Sequence, residues 1–505
     1  LADEFPEYLA FLKLKFKSKV TLMATPRLLT AVQLFIGSVL LVISLLTQGC
    51  VIVGDEYKAP SNRVPDAWTS SVKGDLERPT NLAKWWKAYD DPTLNLLIEK
   101  TRGANRNLKI ASQNISKARA QRGVAKSFAF PTLDSDGGYS RNRTSQFLPL
   151  SEADPNPSNL YITGFDAGWE IDVFGGLRRN IEASEANLEA SIELYRDVLV
   201  TLLSETALNY IEYRTLEERI KIAVSNAVAQ QRSVELTQSR FDSGLAPRID
   251  VTQATTNLER TRAVIPQLKV QLDTARNRLA SLTAESPSSV IDMLQQGDGI
   301  PTPVQGFSSG MPCDLIRARP DIRAAERQLA RQTALIGVAE ADLYPRFVLF
   351  GDFTLEAVTT NNLWNTAAGS YSFGPSIQWK IFSAGKIRNK IKVKEAAAEQ
   401  ALQNYENTVL KAVEEVENSM SAIANGWDRF ATLARADSAA RETVDLIKDN
   451  YQNGLVDFQR VLEAERTKFT TEDDLAIERG NISRSYVALY KSLGGGSRPA
   501  PGATF

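Results

Sequence analysis

The sequence predicts an α+β membrane protein made of two internal repeats, each giving two transmembrane β-strands and long coiled-coil-like helices. Three observations predict it. One corner, RFDSGLAPRIDV at Arg240–Val251, returns as NYQNGLVDFQRV at Asn450–Val461, 210 positions later (241→451, 244→454, 251→461). Short segments alternate apolar and polar residues. Between them run stretches without proline that are too long to wrap one globular core.

The repeat covers most of the chain. Trp169 pairs with Trp379, Ile171 with Ile381, Tyr195 with Tyr405 and Glu205 with Glu415 at the 210 offset. Upstream the offset becomes 214: Gly123 matches Gly337, Pro131 matches Pro345 and Gly137 matches Gly351. The polar segment SRNRTSQFLPLSEADPNPSNL absorbs the difference and reads as an exposed loop. Repeat one is expected over 81–295 and repeat two over 312–493. A Pro/Gly-rich connector over 296–311 joins them, and a disordered tail follows over 494–505.

Within each repeat the order is the same. A helix, Asn107–Ala129 or Asp321–Leu343, stops before Pro131 or Pro345, because proline disfavours helix in the residue before it. Two strands follow, at about 132–140 and 160–173 in repeat one and 346–355 and 371–382 in repeat two. From Tyr161 to Val173 the odd positions are Tyr, Thr, Phe, Ala, Trp, Ile, Val and the even ones are mostly Gly, Asp and Glu. That is a period of two with one apolar face. A soluble half-buried sheet has the same pattern, but no other segment offers it a core. Strands of about 9–11 residues with aromatic ends fit a transmembrane barrel. Four strands cannot close one, and an open edge in lipid leaves backbone groups unpaired. The barrel is therefore shared: two chains give eight strands and three give twelve.

The long helical runs carry heptad seams. Leu188, Ile192, Tyr195, Leu199 and Leu202 step by four and three, as do Leu402, Tyr405, Val409, Ala412 and Val416. Each run turns back at a tip, about 242–250 and 452–460. Gly244 and Gly454 stand where a helix end favours positive φ. Leu245 and Leu455 then either cap their own hairpins or dock a partner.

Composition narrows the function. The 59 basic and 60 acidic residues nearly cancel, which argues against nucleic acid as a partner. With no histidine and two cysteines, the commonest general base and metal ligand are missing. No phosphate loop or nucleophile elbow is present, so no enzyme activity, metal site or cofactor is expected. At the start, residues 1–22 read as upstream translation. Met23 opens a signal peptide over 23–49, with an apolar run from Leu28 to Leu46 and Gly49-Cys50 after it. A single membrane anchor is the alternative, since the run is long enough to span. The Gly49-Cys50 pair resembles a lipobox, with Cys50 as the lipidation site, heading a lipidated extended segment over 50–80. Val51 in place of Asp points to the outer membrane.

Further motifs carry a family resemblance. VGDEYKAP after Cys50, AKWWKAYDDPTLNLLI, ARPDIRAAERQL and both Gly-Leu corners are similar to those of the TolC-like outer-membrane factors. The branch they resemble is the lipoprotein (NodT-type) one that serves RND efflux pumps. The resemblance runs from about Cys50 to Leu493. Asp55 replaces the usual proline, Cys313 a frequent serine, and Arg317-Ala318-Arg319 the usual double arginine.

The resemblance implies a homotrimer: a 12-stranded barrel in outer-membrane lipid above a periplasmic α-helical tunnel. It implies an exit duct for small molecules, working with a periplasmic adaptor (membrane fusion protein) and an inner-membrane RND pump. Gly244, Leu245, Gly454 and Leu455 become adaptor-docking tips. Arg248, Asp250, Asp457, Arg460 and Glu463 become the entrance gate, where Arg460 either makes the entrance less attractive to cations or locks it by pairing with a carboxylate. For Asp457 a simple helix-start role is the stronger reading. Inside the barrel the even face, with Asp166, Glu170, Asp172 and Lys380, points to the lumen, and Glu170 pairs with Lys380. Two alternatives stand beside this: an exit duct for type I protein secretion, and a lipid-tethered periplasmic coiled coil.

Overall fold

The computed structural model describes residues 52–60, 68–69, 82–143, 145, 157–303 and 313–497. The upstream segment, the signal peptide and Cys50 lie outside these residues, as does the second half of the connector.

Chain order follows the repeat. Helix α1 (Pro92–Ala104) and helix α2 (Arg106–Ser127) lead into strands β1 (Thr132–Asn142) and β2 (Ser158–Ile171). Helix α3 (Gly176–Asp242) descends to the first tip and α4 (Arg248–Thr283) returns, followed by the short α5 (Pro287–Leu294). Repeat two gives α6 (Pro320–Ala341), β3 (Arg346–Ala357), β4 (Gly369–Gln378), α7 (Lys386–Gln452) and α8 (Phe458–Ser492). Both descending helices have 67 residues, about 100 Å at 1.5 Å per residue.

Local chemistry sets the boundaries. Asp91 caps α1 through Leu94 N–H, and Asn105 caps α2 through Asn107 and Leu108 N–H. Gly175 and Gly385 precede α3 and α7 at φ 81° and 80°, a backbone that glycine adopts without strain. Trp169 Nε1 donates to Ala129 O and Trp379 Nε1 to Leu343 O, both at 3.0 Å. Each indole thereby ties the end of a strand to the chain just after the preceding helix.

The four strands form one antiparallel sheet in the order β1-β2-β3-β4. Opposed residues share a face. Leu133, Tyr139, Phe165, Trp169, Leu349, Phe353, Tyr371, Phe373 and Ile377 are all odd-numbered and all exposed. The expected apolar face is therefore real and uncovered, as lipid contact requires. Phe350 breaks the alternation.

The helices pack as a layer rather than a ball. The first heptad seam lies against α2, where Leu188 meets Ile115 and Ala118. The second gathers Tyr405, Val409 and Ala412 with Ile316 and Ile322. The largest core sits at mid-height. Trp85 and Trp86, in the 3-10 stretch Leu82–Tyr89, pack there with residues of α1, α3 and α8. Trp85 stacks on Tyr490 at 5.1 Å, and Tyr89 Oη donates to Ser483 O at 2.7 Å. Each such aromatic buries about 150–250 Å², enough to fix the ring of short segments around the long helices.

Two boundaries differ from expectation. The tail begins ordered: Gly494–Gly496 are buried, and Gly496 N–H donates to Leu82 O at 2.8 Å. A Cβ on Gly495 would lie 2.7 Å from Tyr490 O, so glycine is required by packing there. Strand β4 ends at Gln378, not at 382. In repeat one, Trp169, Glu170 and Ile171 are held by Leu349, Val348 and Phe347. The equivalent residues 379–381 lie on the outer edge of the sheet, where the described residues hold no further strand.

Candidate functional site

The two Gly-Leu corners meet at one end of the hairpins. Each is a six-residue cap: Leu245 N–H donates to Arg240 O at 2.8 Å and Leu455 N–H to Asn450 O at 2.9 Å. Gly244 and Gly454 take φ 71° and 72°. In such caps the residue after the glycine often rests on its own helix. Here Leu245 is 69 % exposed and Leu455 72 % exposed. Neither leucine is buried against its own hairpin.

Behind the corners the tips are locked together. Arg240 of the first donates to Tyr451 O at 2.9 Å and Gln452 O at 3.0 Å of the second. Its guanidinium also covers the Tyr451 ring at 4.7 Å. Tyr451 packs with Phe458, Val461, Leu462 and Ala254. Asp250 lies beside this group. Burial first, then the charge of Asp457, raises its pKa, while Arg240 lowers it.

The expected gate residues separate. Asp457 caps α8, accepting from Arg460 N–H at 3.2 Å, which is the helix-start role. Arg460 reaches Glu463 at 4.0 Å on its own helix, with both side chains exposed. The carboxylate that Arg460 meets is therefore Glu463, and a spacing of three residues on one exposed helix gives only a weak pair. Arg248 opens α4 at the tip. Sequence reasoning missed Arg240 and Tyr451. The signal was present: Arg240 aligns with Asn450, a break in the repeat inside its own motif.

Above the tips, the seam between the hairpins is polar. Ser233 Oγ donates to Glu465 and Asn226 Nδ2 to Glu472, both at 2.6 Å. Lys448 reaches Glu465 and Arg441 reaches Glu472, both at 2.9 Å. Arg219 grips Asp473 with two bonds, at 2.7 and 3.0 Å. These carboxylates are buried or half-buried but paired, which offsets their desolvation.

At the barrel, Asp166 and Glu170 lie on the even face of β2. Asp172 does not. It stands one residue past β2 and accepts from Leu177 N–H at 3.1 Å and Arg178 N–H at 2.9 Å. The free amides at the start of α3 claim its carboxylate. Lys380 lies two residues past β4. Across the β2–β3 ladder Glu170 faces Val348.

The same junction receives the N-terminal segment. Val53 N–H donates to Phe174 O at 3.1 Å, and Arg179 donates to Val53 O at 3.1 Å and Gly54 O at 2.5 Å. Gly54 (φ 87°) sits so close to Gly337 that a Cβ would lie 2.6 Å from its Cα. Ile52 packs on Gly175. The chain is thus pinned two residues after Cys50, at the level where strands become helices.

Comparison with known proteins places this architecture. The family model "Outer membrane efflux protein" matches residues 97–285 and 312–495. Nodulation protein T of Rhizobium leguminosarum bv. trifolii is 29% identical over 460 residues, covering 90% of this chain and 96% of that protein. Toluene efflux pump outer membrane protein TtgI of Pseudomonas putida is 28% identical over 475 residues, covering 90% and 96%. The solved structure of the outer-membrane channel OprN superposes with TM-score 0.77 at 36% identity, covering 88% of this chain and all of that one. The fold is that of a trimeric channel, in which three chains supply twelve strands. With its paired repeats, four-stranded sheet and long hairpins, the chain belongs to the outer membrane efflux protein family.

Proposed function

We propose that this chain is the outer-membrane exit duct of a tripartite efflux system for small molecules, and that its two Gly-Leu corners dock the periplasmic adaptor. One observation carries the docking role: Leu245 and Leu455 are exposed apolar residues on rigid caps at the same end of both hairpins. Apolar anchors displayed this way favour a protein partner. Arg248, Asp250, Asp457, Arg460 and Glu463 surround the entrance beside them. Asp166 and Glu170, joined by Lys380 on assembly, supply lumen charge. Cys50 carries the lipid anchor, a reading supported by the pinned segment after it. One lipid chain binds only marginally, and the barrel supplies the second hold. The similar proteins include a toluene efflux component, which supports a small-molecule cargo over secreted protein.

Photo-crosslinking residues placed at Leu245 and Leu455 in living cells test the docking. Capture of an adaptor that partners an RND pump is the expected result. Capture of an adaptor from an ABC secretion system would keep the duct and replace its cargo. Capture of neighbouring copies alone would remove the docking role.

A further inference from the structure

The free edges of the sheet, β1 and β4, are each half of an interface, and the internal repeat fixes how they join. The two hairpins share one register. Tyr139 faces Tyr161 in repeat one, and Phe353 faces Tyr371 in repeat two (139→353 at offset 214, 161→371 at offset 210). The offsets therefore carry pairings between the repeats without slippage. In the chain, β2 meets β3 with Glu170 opposite Val348. Carried forward, Glu170 becomes Lys380 and Val348 becomes Asp134 (170→380, 348→134).

We propose that in the assembled barrel Lys380 lies directly opposite Asp134 of the partner subunit, and that this pair sets the register of the subunit seam. The inference rests on the trimeric channel reading. Three features agree with it. Asp134, Asp166 and Asp352 face one another in a single row on the even face of the sheet, and none has an ion pair among the described residues. Opposed like charges are unfavourable; a lysine at the open end of the row relieves them. Next, residues 379–381 keep the strand alternation of residues 169–171 but have no paired strand among the described residues. The carried register gives them one: Trp379 meets Ser135 of the partner subunit, and Ile381 meets Leu133 of the partner subunit. Finally, the register joins odd to odd and even to even. A slip of one residue would turn the apolar face inward.

The pair lies on the polar face, within reach of water and reagents, so its role is alignment rather than strength. Zero-length carbodiimide coupling of the purified wild-type trimer reads it without substitution. The expected product is an intersubunit peptide joining Lys380 to Asp134. A product joining Lys380 mainly to Asp136, or none, would overturn the register. A second reading uses disulfides in the full chain. Lys380→Cys combined with Asp134→Cys should give a covalently linked trimer on mild oxidation. Lys380→Cys with Thr132→Cys or Asp136→Cys should not, because diagonal neighbours are about 7–8 Å apart. Preferred linkage in either shifted combination, or none in any while native mass measurement shows trimers, refutes the proposal. Trimer mass is read separately from efflux, so loss of the seam pair and loss of the duct reading are distinguishable.

Discussion

Helices α3 and α7 are copies of one element with the same length and offset, yet they are buried differently. In α3, Ala183 and Val200 are each 3 % exposed. Their equivalents in α7, Val393 and Leu410, are 65 % and 69 % exposed. The cause is position in the layer. Helix α3 has α2 on one flank and α6 on the other, whereas α7 has α6 on one flank only. The matching gap lies at the other end of the layer: Ile110 of α2 is 60 % exposed, while its equivalent Ala324 in α6 is 3 % exposed. Two apolar flanks left bare at opposite ends of one layer are complementary. They teach that the second repeat is written for a neighbour that the chain itself does not contain.

The sharpest way to break this comparison is to place one charge at the two equivalent positions. Val200→Asp should cost about 4 kcal/mol or more, because it buries an unpaired charge, and should abolish the folded chain. Leu410→Asp should leave helix content and single-chain stability within about 0.5 kcal/mol, yet abolish the trimer. Circular dichroism and native mass spectrometry read the two effects. Assembly of Leu410→Asp into normal trimers would sink the claim that α7 meets a neighbour.

The tips differ between repeats as well. Arg240→Ala removes two charged hydrogen bonds and a cation–π contact, about 3.5 kcal/mol in all. The substitution should loosen the entrance and raise single-channel conductance in planar bilayers. Asn450→Ala, at the matching position, should change conductance little. Equal effects would mean that the tips are held symmetrically.

A smaller effect tests where the repeats agree. Trp169→Phe and Trp379→Phe each lose one indole hydrogen bond to a main-chain carbonyl, worth about 1 kcal/mol. The two should lower heat resistance of the barrel alike; a clear inequality would show that the junctions are not equivalent.

The smallest effect concerns pH. Burial and Asp457 raise the pKa of Asp250, so the folded tip holds that proton more tightly than the unfolded chain. The stability this gives is present at low pH and is lost as pH rises through the folded pKa. Tip closure should therefore tighten on acidification, and Asp250→Asn should flatten that dependence. Conductance measured across the acidic range decides it; an unchanged slope in the variant would assign the effect to other groups.

Sequence alone determined a good deal here. Period-two alternation named the lipid face because a strand's faces alternate whatever it pairs with. Proline-free length named the long helices, since a run of that size has no other compact use. The repeat located both tips, because a glycine past a helix end has one local conformation to supply. These are properties of short stretches and are written in them. Tertiary structure decided the rest, where the outcome depends on a distant group. Asp172 reads as a lumen carboxylate until the free amides of α3 claim it. Arg460 has no named carboxylate in the sequence until the fold gives it Glu463, on its own helix. Gly494–Gly496 read as a loose tail until Trp85 and Tyr490 close around Gly495 and leave no room for a side chain there. Lys380 and the residues around it have no paired strand among the described residues, because backbone pairing needs a second strand and β4 is the last one in the sheet.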